Sequence, residues 1–215
     1  MAPVRAAPVR VLPVGAEALL LEVDSAAEVA ALHAEVLRRR AAGEPGLGDV
    51  RDVVPAARTV LVDGVRAPEA LAARIAGWQV PPLEEGEGPE VTVPVRFDGP
   101  DLAEVAGLWG VPAGEVAGIV TGTAFRVAFC GFAPGFGYLT GLPERLHLPR
   151  RATPRTSVPA GSLALAGEYA GVYPRSSPGG WQLIGRTDAV LWDAGREPAA
   201  LFAPGVRVRF TEVPA

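Results

Sequence analysis

Three stretches hold side chains whose types and spacing could do chemistry: GFAPGFGYLTGL at 131–142, PRRATPRTSVPAGS at 149–162 and AGVYPRSSPGGWQLIGRT at 170–187. In the second, Arg150, Arg151 and Arg155 lie among Pro149, Pro154 and Pro159. Proline fixes φ, so the guanidinium groups ride on stiffened chain. Each can grip carboxylate or phosphate oxygens through two parallel hydrogen bonds. In the third, Pro178-Gly179-Gly180-Trp181 reads as a tight turn, and successive turn amides can form an anion-binding nest. That turn feeds a strand ending at Arg186-Thr187. The first stretch interleaves glycines with Phe132, Phe136 and Tyr138, which lets backbone approach a ligand while rings wall the site. A turn-rich apolar plug is the other reading of it. Trp181 and Tyr173 read as further walls or as ordinary core. The expectation is a small-anion site in which Arg150, Arg151, Arg155, Gly179, Gly180, Arg186 and Thr187 bind, enclosed by Phe132, Phe136, Tyr138, Tyr173 and Trp181.

Charge supports a local site. The chain is 215 residues long with a formal net charge of -4, which argues against a general nucleic-acid binder. Between Arg126 and Arg186 seven arginines face two acids, Glu144 and Glu168, so that segment is +5 and the remainder is -9. A basic island in an acidic chain suits one small anionic ligand.

What is missing narrows the chemistry. All 20 cationic residues are arginine, so a P-loop lysine, a Schiff-base lysine and a pyridoxal-phosphate anchor are excluded. With one cysteine and two histidines no zinc-type cluster is evident, and no intramolecular disulfide can form. His147 is a candidate general base or a structural residue, and His33 reads as structural. Cys130, in the apolar run AFCGF, reads as a buried small residue. The serines lack a G-x-S-x-G elbow. The N-terminus, with Pro3, Arg5, Pro8 and Arg10, has no signal-peptide pattern, and no run approaches a membrane span. A cytoplasmic protein is expected.

The elements that must position these residues follow from periodicity. Residues 9–12 and 18–23 read as strands about a turn at Gly15. Ser25 with Glu28 three residues on makes a capping-box pattern. Val29, Leu32 and Val36 share a helix face, which Arg38–Arg40 and Gly43 close. VRDVVPAARTVLVDG reads as a strand pair across Pro55, and a helix follows from Pro68 to about Trp78. Residues 79–90 carry Pro, Gly and acids without apolar periodicity and read as a linker. The strand EVTVPVRF comes next, then helices at Asp101–Trp109 and about 112–121. From Phe125 onward short apolar runs alternate with Gly/Pro turns, the spacing of a closed antiparallel barrel or sandwich. The expected organisation is an α+β domain at 1–80, a linker at 81–90 and a β-barrel domain at 91–215.

Taken together, GFAPGFGYL, PRRATPR, VPAGS, YPRSSPGGW and IGRT, with VPVRFDGPDL at 93–102 before them, resemble a known family. It comprises the B subunit of bacterial 5-oxoprolinase, allophanate hydrolase subunit 1 and the kinase inhibitor KipI. The resemblance implies a small α+β N-terminal domain and a cyclophilin-like antiparallel β-barrel. It also implies ATP-dependent opening of 5-oxoproline, carried out with a C-type subunit and an A-type subunit, in which ATP is bound by this chain or its partner. A KipI-like non-catalytic inhibitor of a sensor kinase and an allophanate-processing subunit are the alternatives. Two departures stand out. The family's usual His in the helix before RVAFCGF is here Val120, and its Gln-Thr pair after VPAGS is Tyr169-Ala170.

Overall fold

The computed structural model describes residues 9–83 and 88–214. The Pro/Arg alternation at residues 3–8 and part of the expected linker at 81–90 lie outside those residues. The chain forms two compact units, Met1–Glu87 and Gly88–Ala215.

In the first unit, strands β1 (Arg10–Val14), β2 (Ala18–Glu22), β3 (Asp52–Pro55) and β4 (Thr59–Asp63) form an antiparallel sheet in the order β1-β2-β4-β3. Helices α1 (Ala26–Ala41) and α2 (Pro68–Ile75) bury Val29, Leu32, Val36, Leu71 and Ile75 in one core with Leu19, Leu21, Val60 and Val62 of that sheet. The Ser25 hydroxyl caps α1 by accepting from the Glu28 amide at 3.2 Å. The Glu28 carboxylate returns to the Asp24 amide at 2.9 Å, one residue earlier than in the usual capping box. Gly43, at φ +75, carries the chain out of the helix in the left-handed region that glycine tolerates.

In the second unit a seven-stranded sheet runs β12-β9-β10-β7-β6-β13-β5. Its strands are β5 (Glu90–Val95), β6 (Phe125–Cys130), β7 (Gly137–Thr140), β9 (Ser162–Ala166), β10 (Tyr169–Val172), β12 (Gln182–Arg186) and β13 (Arg207–Glu212). An isolated antiparallel bridge between Arg96 and Arg186 joins the two ends, so the sheet is barrel-like and nearly closed. The fold class is α+β as expected, with one difference from an all-antiparallel barrel: β13 pairs with β5 in parallel register, Arg207 opposite Glu90 through Glu212 opposite Val95. A separate two-stranded ladder, β8 (Arg155–Val158) with β11 (Ser177–Gly179), carries the arginine-rich stretch.

Helices α3 (Leu102–Trp109) and α4 (Glu115–Gly122) contribute Val105, Ala106, Val116 and Val120 to the main core with Leu139, Leu163, Leu165 and Phe210. Alternation along β9 sends Leu163 and Leu165 to that core, and Ala164 and Ala166 to a second cluster with Phe136, Tyr173, Trp181 and Leu183. The alanines are small because the aromatic rings occupy the space beside them.

Candidate functional site

The closure of the barrel and the placement of the arginines are one construction. After β5 the chain continues alongside β12: Arg96 and Arg186 exchange two backbone hydrogen bonds of 2.9 Å, the Gly99 amide donates to the Ile184 carbonyl at 3.2 Å, and the Asp101 amide donates to the Leu183 carbonyl at 3.0 Å. Gly99 is required here, because a Cβ would run into the backbone of Leu183, Ile184 and Gly185. Two ion pairs cross this seam, Arg96 with Asp188 and Arg186 with Asp98, each at 2.8 Å.

At the end of the seam sits Asp101, 3% exposed, just before α3. Its Oδ1 accepts from Arg151 Nη1 at 2.8 Å and from Arg155 Nη2 at 2.6 Å. Its Oδ2 accepts from the Leu183 amide at 2.7 Å. One turn along α3, Glu104 accepts from Arg151 at 3.2 Å and from the Gln182 side chain at 3.3 Å. Arg155 Nη1, Arg151 Nε and Gln182 Oε1 are buried without a partner among the described residues. Buried polar groups are nearly always paired, so these three atoms mark unspent hydrogen-bonding capacity at one place.

The residues expected to bind an anion therefore separate. Arg151, Arg155, Gly179 and Gly180 come together: Gly179 stands opposite Arg155 in the β8–β11 ladder, and the Arg151 amide donates to the Gly180 carbonyl at 2.8 Å. Neither glycine adopts a positive φ; Gly179 ends the β11 strand and Gly180 follows it. Gly179 leaves room for the Tyr173 hydroxyl, which a Cβ would strike. Arg150 is exposed and carries no ion pair among the described residues. Arg186, with its side chain 63% exposed, belongs to the seam. The Thr187 amide donates to the Gly161 carbonyl at 2.8 Å, continuing the β9–β12 ladder on the other edge of β12.

The aromatic residues form a continuous edge-to-face cluster. Phe136 lies 5.5 Å from both Tyr173 and Trp181 and 5.0 Å from Tyr138, centroid to centroid. Phe136, Tyr173 and Trp181 are buried. Phe132 differs: it is 56% exposed and holds φ +65, a left-handed conformation that costs a non-glycine residue about 1 kcal/mol or more. Burial pushes the Tyr173 hydroxyl above the ordinary tyrosine value, against the opposing pull of Arg150 and Arg155.

The remaining candidates are occupied. His147 Nε2 meets the Leu142 carbonyl at 3.1 Å. Ser157 and Ser176 hydroxyls bond each other at 2.9 Å. Cys130 is exposed at the end of β6, contrary to the expectation of a buried residue, because the strand ends there. Its sulfur nonetheless turns in toward the Phe202 carbonyl at 3.5 Å, and desolvation pushes the thiol up to about 11. Among the described residues no group of three or more His, Cys, Asp or Glu could hold a metal, and no helix is long and apolar enough to cross a membrane. Val120 is fully buried in the main core, and Tyr169 packs edge-to-face on Phe129 and Tyr138. Neither departure from the family pattern lies among the arginines.

Sequence reasoning missed Asp101, Glu104, Gln182 and Asp98. A linear count from 126 to 186 cannot see acids that arrive from residues 98–104. The signal available was the pair Asp101 and Glu104 at i, i+3, which share a helix face.

Comparison with known proteins agrees with this architecture. The chain is 42% identical over 174 residues to the B subunit of 5-oxoprolinase from Escherichia coli O157:H7, covering 75% of this chain and 78% of the relative. The crystal structure of TTHA0988 superposes with a TM-score of 0.75 at 33% identity, and the chain, of which 93% is covered, spans only 40% of that protein. The urea amidolyase of K. lactis shares the fold, with a TM-score of 0.73 at 17% identity over 97% of this chain and 15% of that one. The pattern of the carboxyltransferase domain, subdomain C and D, matches residues 9–202. The chain belongs to the carboxyltransferase-domain family, subdomains C and D.

Proposed function

We propose that the chain is a subunit of a cytoplasmic, ATP-dependent amidohydrolase of the 5-oxoprolinase type. The assembled enzyme opens the lactam of 5-oxo-L-proline to L-glutamate while ATP is cleaved to ADP and phosphate. The observation that carries this reading is the 42% identity to the B subunit of a 5-oxoprolinase across three quarters of the chain.

The site's chemistry supports a chain that binds and leaves bond-breaking to partners. His147, Ser157 and Ser176 are engaged with protein groups, and a thiol pushed up to about 11 is protonated at neutral pH and a poor nucleophile. What the site offers is cationic hydrogen bonding: Arg150, open to solvent, and the partly exposed guanidinium groups of Arg151 and Arg155. These groups take the substrate carboxylate or a phosphoryl oxygen, with Phe132 and Tyr173 walling the approach. A C-type and an A-type subunit complete the enzyme, and the chain alone is inactive.

Purified chain, alone and recombined with C-type and A-type subunits, is assayed for ADP release dependent on 5-oxoproline. Turnover is expected only in the recombined complex. Arg155→Ala lowers kcat/KM about a hundredfold, equivalent to ~2.7 kcal/mol of transition-state stabilisation. A complex without 5-oxoproline-dependent turnover discards the substrate, and full activity in Arg155→Ala discards the arginine assignment.

A further inference from the structure

Nothing within the arginine stretch fixes where its guanidinium groups point. The β8–β11 ladder is short and its register shifts between Ser177 and Gly179. Arginine side chains have several rotatable bonds and lose much freedom when held. The group that holds them comes from elsewhere: Asp101 spends one oxygen on Arg151 and Arg155 and the other on the Leu183 amide of β12. The same residue's amide donates to the Leu183 carbonyl, the last hydrogen bond of the barrel seam.

We propose that Asp101 is the positioning residue of this site: it holds one nitrogen from each of Arg151 and Arg155, fixes the direction in which the partly exposed remainder of each guanidinium faces, and registers both arginines against the barrel seam. The inference rests on the reading above that these arginines face the substrate. Asp101 is 3% exposed and acts through the arginines. Two guanidinium groups meet one buried carboxylate, and the second acid, Glu104, has a side chain 53% exposed and is screened by water. The excess positive charge comes from Arg150, which has no ion pair among the described residues and, like Arg155, lies close enough to pull on the Tyr173 hydroxyl. The two carboxylate oxygens also explain why an acid is needed. Both sides of Asp101 face donors, so an amide would place its NH2 against either the Leu183 amide or the guanidinium groups.

The test uses Asp101→Asn and Asp101→Glu in the full chain. Phenylglyoxal modification, mapped by peptide mass spectrometry, reads the arginines without any substrate. In the wild type, Arg151 and Arg155 should react at least tenfold more slowly than Arg150 and Arg175. In Asp101→Asn the difference should shrink below threefold. In the recombined complex, Asp101→Asn should raise KM for 5-oxoproline at least tenfold with kcat changed less than threefold, and Asp101→Glu should recover part of that rise. A merely structural role would lower the melting temperature and the active fraction and leave KM in place. Unchanged protection of Arg151 and Arg155 in Asp101→Asn overturns the proposal. Should that variant not fold, Asp101→Glu carries both measurements, with intermediate protection and KM expected and wild-type values overturning it. A wild-type complex that ignores 5-oxoproline defeats the functional reading alone, since the phenylglyoxal result still decides the role of Asp101.

Discussion

Each unit of the chain contains a buried carboxylate held by two arginines, and the two are built in opposite ways. In the first unit Glu35, 4% exposed, receives Arg38 and Arg39 from its own helix at i+3 and i+4. Arg39 also stacks 4.4 Å over the Trp78 ring. In the second unit Asp101 receives Arg151 and Arg155 from about 50 residues away and adds a strand amide. The local cluster forms with its helix and can relax toward water, since the Arg38 side chain is 63% exposed. The distant one forms only when the barrel has closed, and it leaves guanidinium nitrogens unspent. Similar groups thus brace one helix in the first unit and tie three distant segments together in the second.

The largest effect that would break this contrast is on stability. Asp101→Ala strands Arg155, leaves Arg151 only the half-exposed Glu104, and should cost about 3–5 kcal/mol, the range for removing one partner of a buried ion pair. Glu35→Ala should cost about 1–2 kcal/mol, because Arg38 can turn to solvent and Arg39 keeps Glu44 and its stack on Trp78. Hydrogen exchange resolved by peptide reads each unit separately, and equal losses in the two variants would erase the distinction. Next in size, Gly99→Ala should destabilise the second unit by about 1–3 kcal/mol by overfilling the seam. Unchanged exchange along β12 in that variant would show that the seam does not hold the site.

The contrast also predicts a difference with pH. Hydrogen bonding to Arg38, with a further contribution from Arg39, holds the Glu35 carboxyl below the ordinary value of 4.5. A depressed carboxyl stabilises the fold fully above its unfolded pKa, and that stability is lost as pH falls through the folded value. His33 acts in the same direction, because burial lowers its pKa below 6.5. Its neutral folded form is increasingly disfavoured as acid protonates the unfolded chain. The first unit should therefore soften from about pH 6.5 downward and again below about 4.5. His33→Gln and Glu35→Gln should each flatten one step in melting curves taken across pH 3–8. The smallest expected effect concerns the thiol at the end of β6. Cys130, its thiol pushed up to about 11, should be alkylated slowly by iodoacetamide at pH 7.5, with a rate rising steeply toward pH 10. Rapid alkylation at pH 7.5 would mean that the Phe202 carbonyl does not hold the sulfur inward.

Local features were legible in the sequence and long-range ones were not. The cap at Ser25, the buried face of Val29, Leu32 and Val36, and the strands on either side of Gly15 are written in neighbouring residues, and periodicity reads them. The barrel's strand-rich character was legible from turn spacing, but the parallel β5–β13 ladder was not, because it pairs Glu90 with Arg207. At the site, composition identified the arginines and aromatics. It could not show that Arg186 is committed to Asp98, that Gly179 makes room for Tyr173, or that Asp101 lies between the two central arginines. Charge neutralisation across about 50 residues is a property of the fold, and a window along the chain cannot contain it.

The parallel ladder has a consequence for biosynthesis. Residues 207–212 form the slat that sits between β5 and β6, so during translation both of those earlier strands must wait with bare edges until the ribosome has delivered it. The first unit has no such dependence and can mature while the rest is still being made. Nascent chains halted before residue 207 should therefore display a finished first unit and an adhesive, unfinished second one, the form that chaperones would be called on to shield.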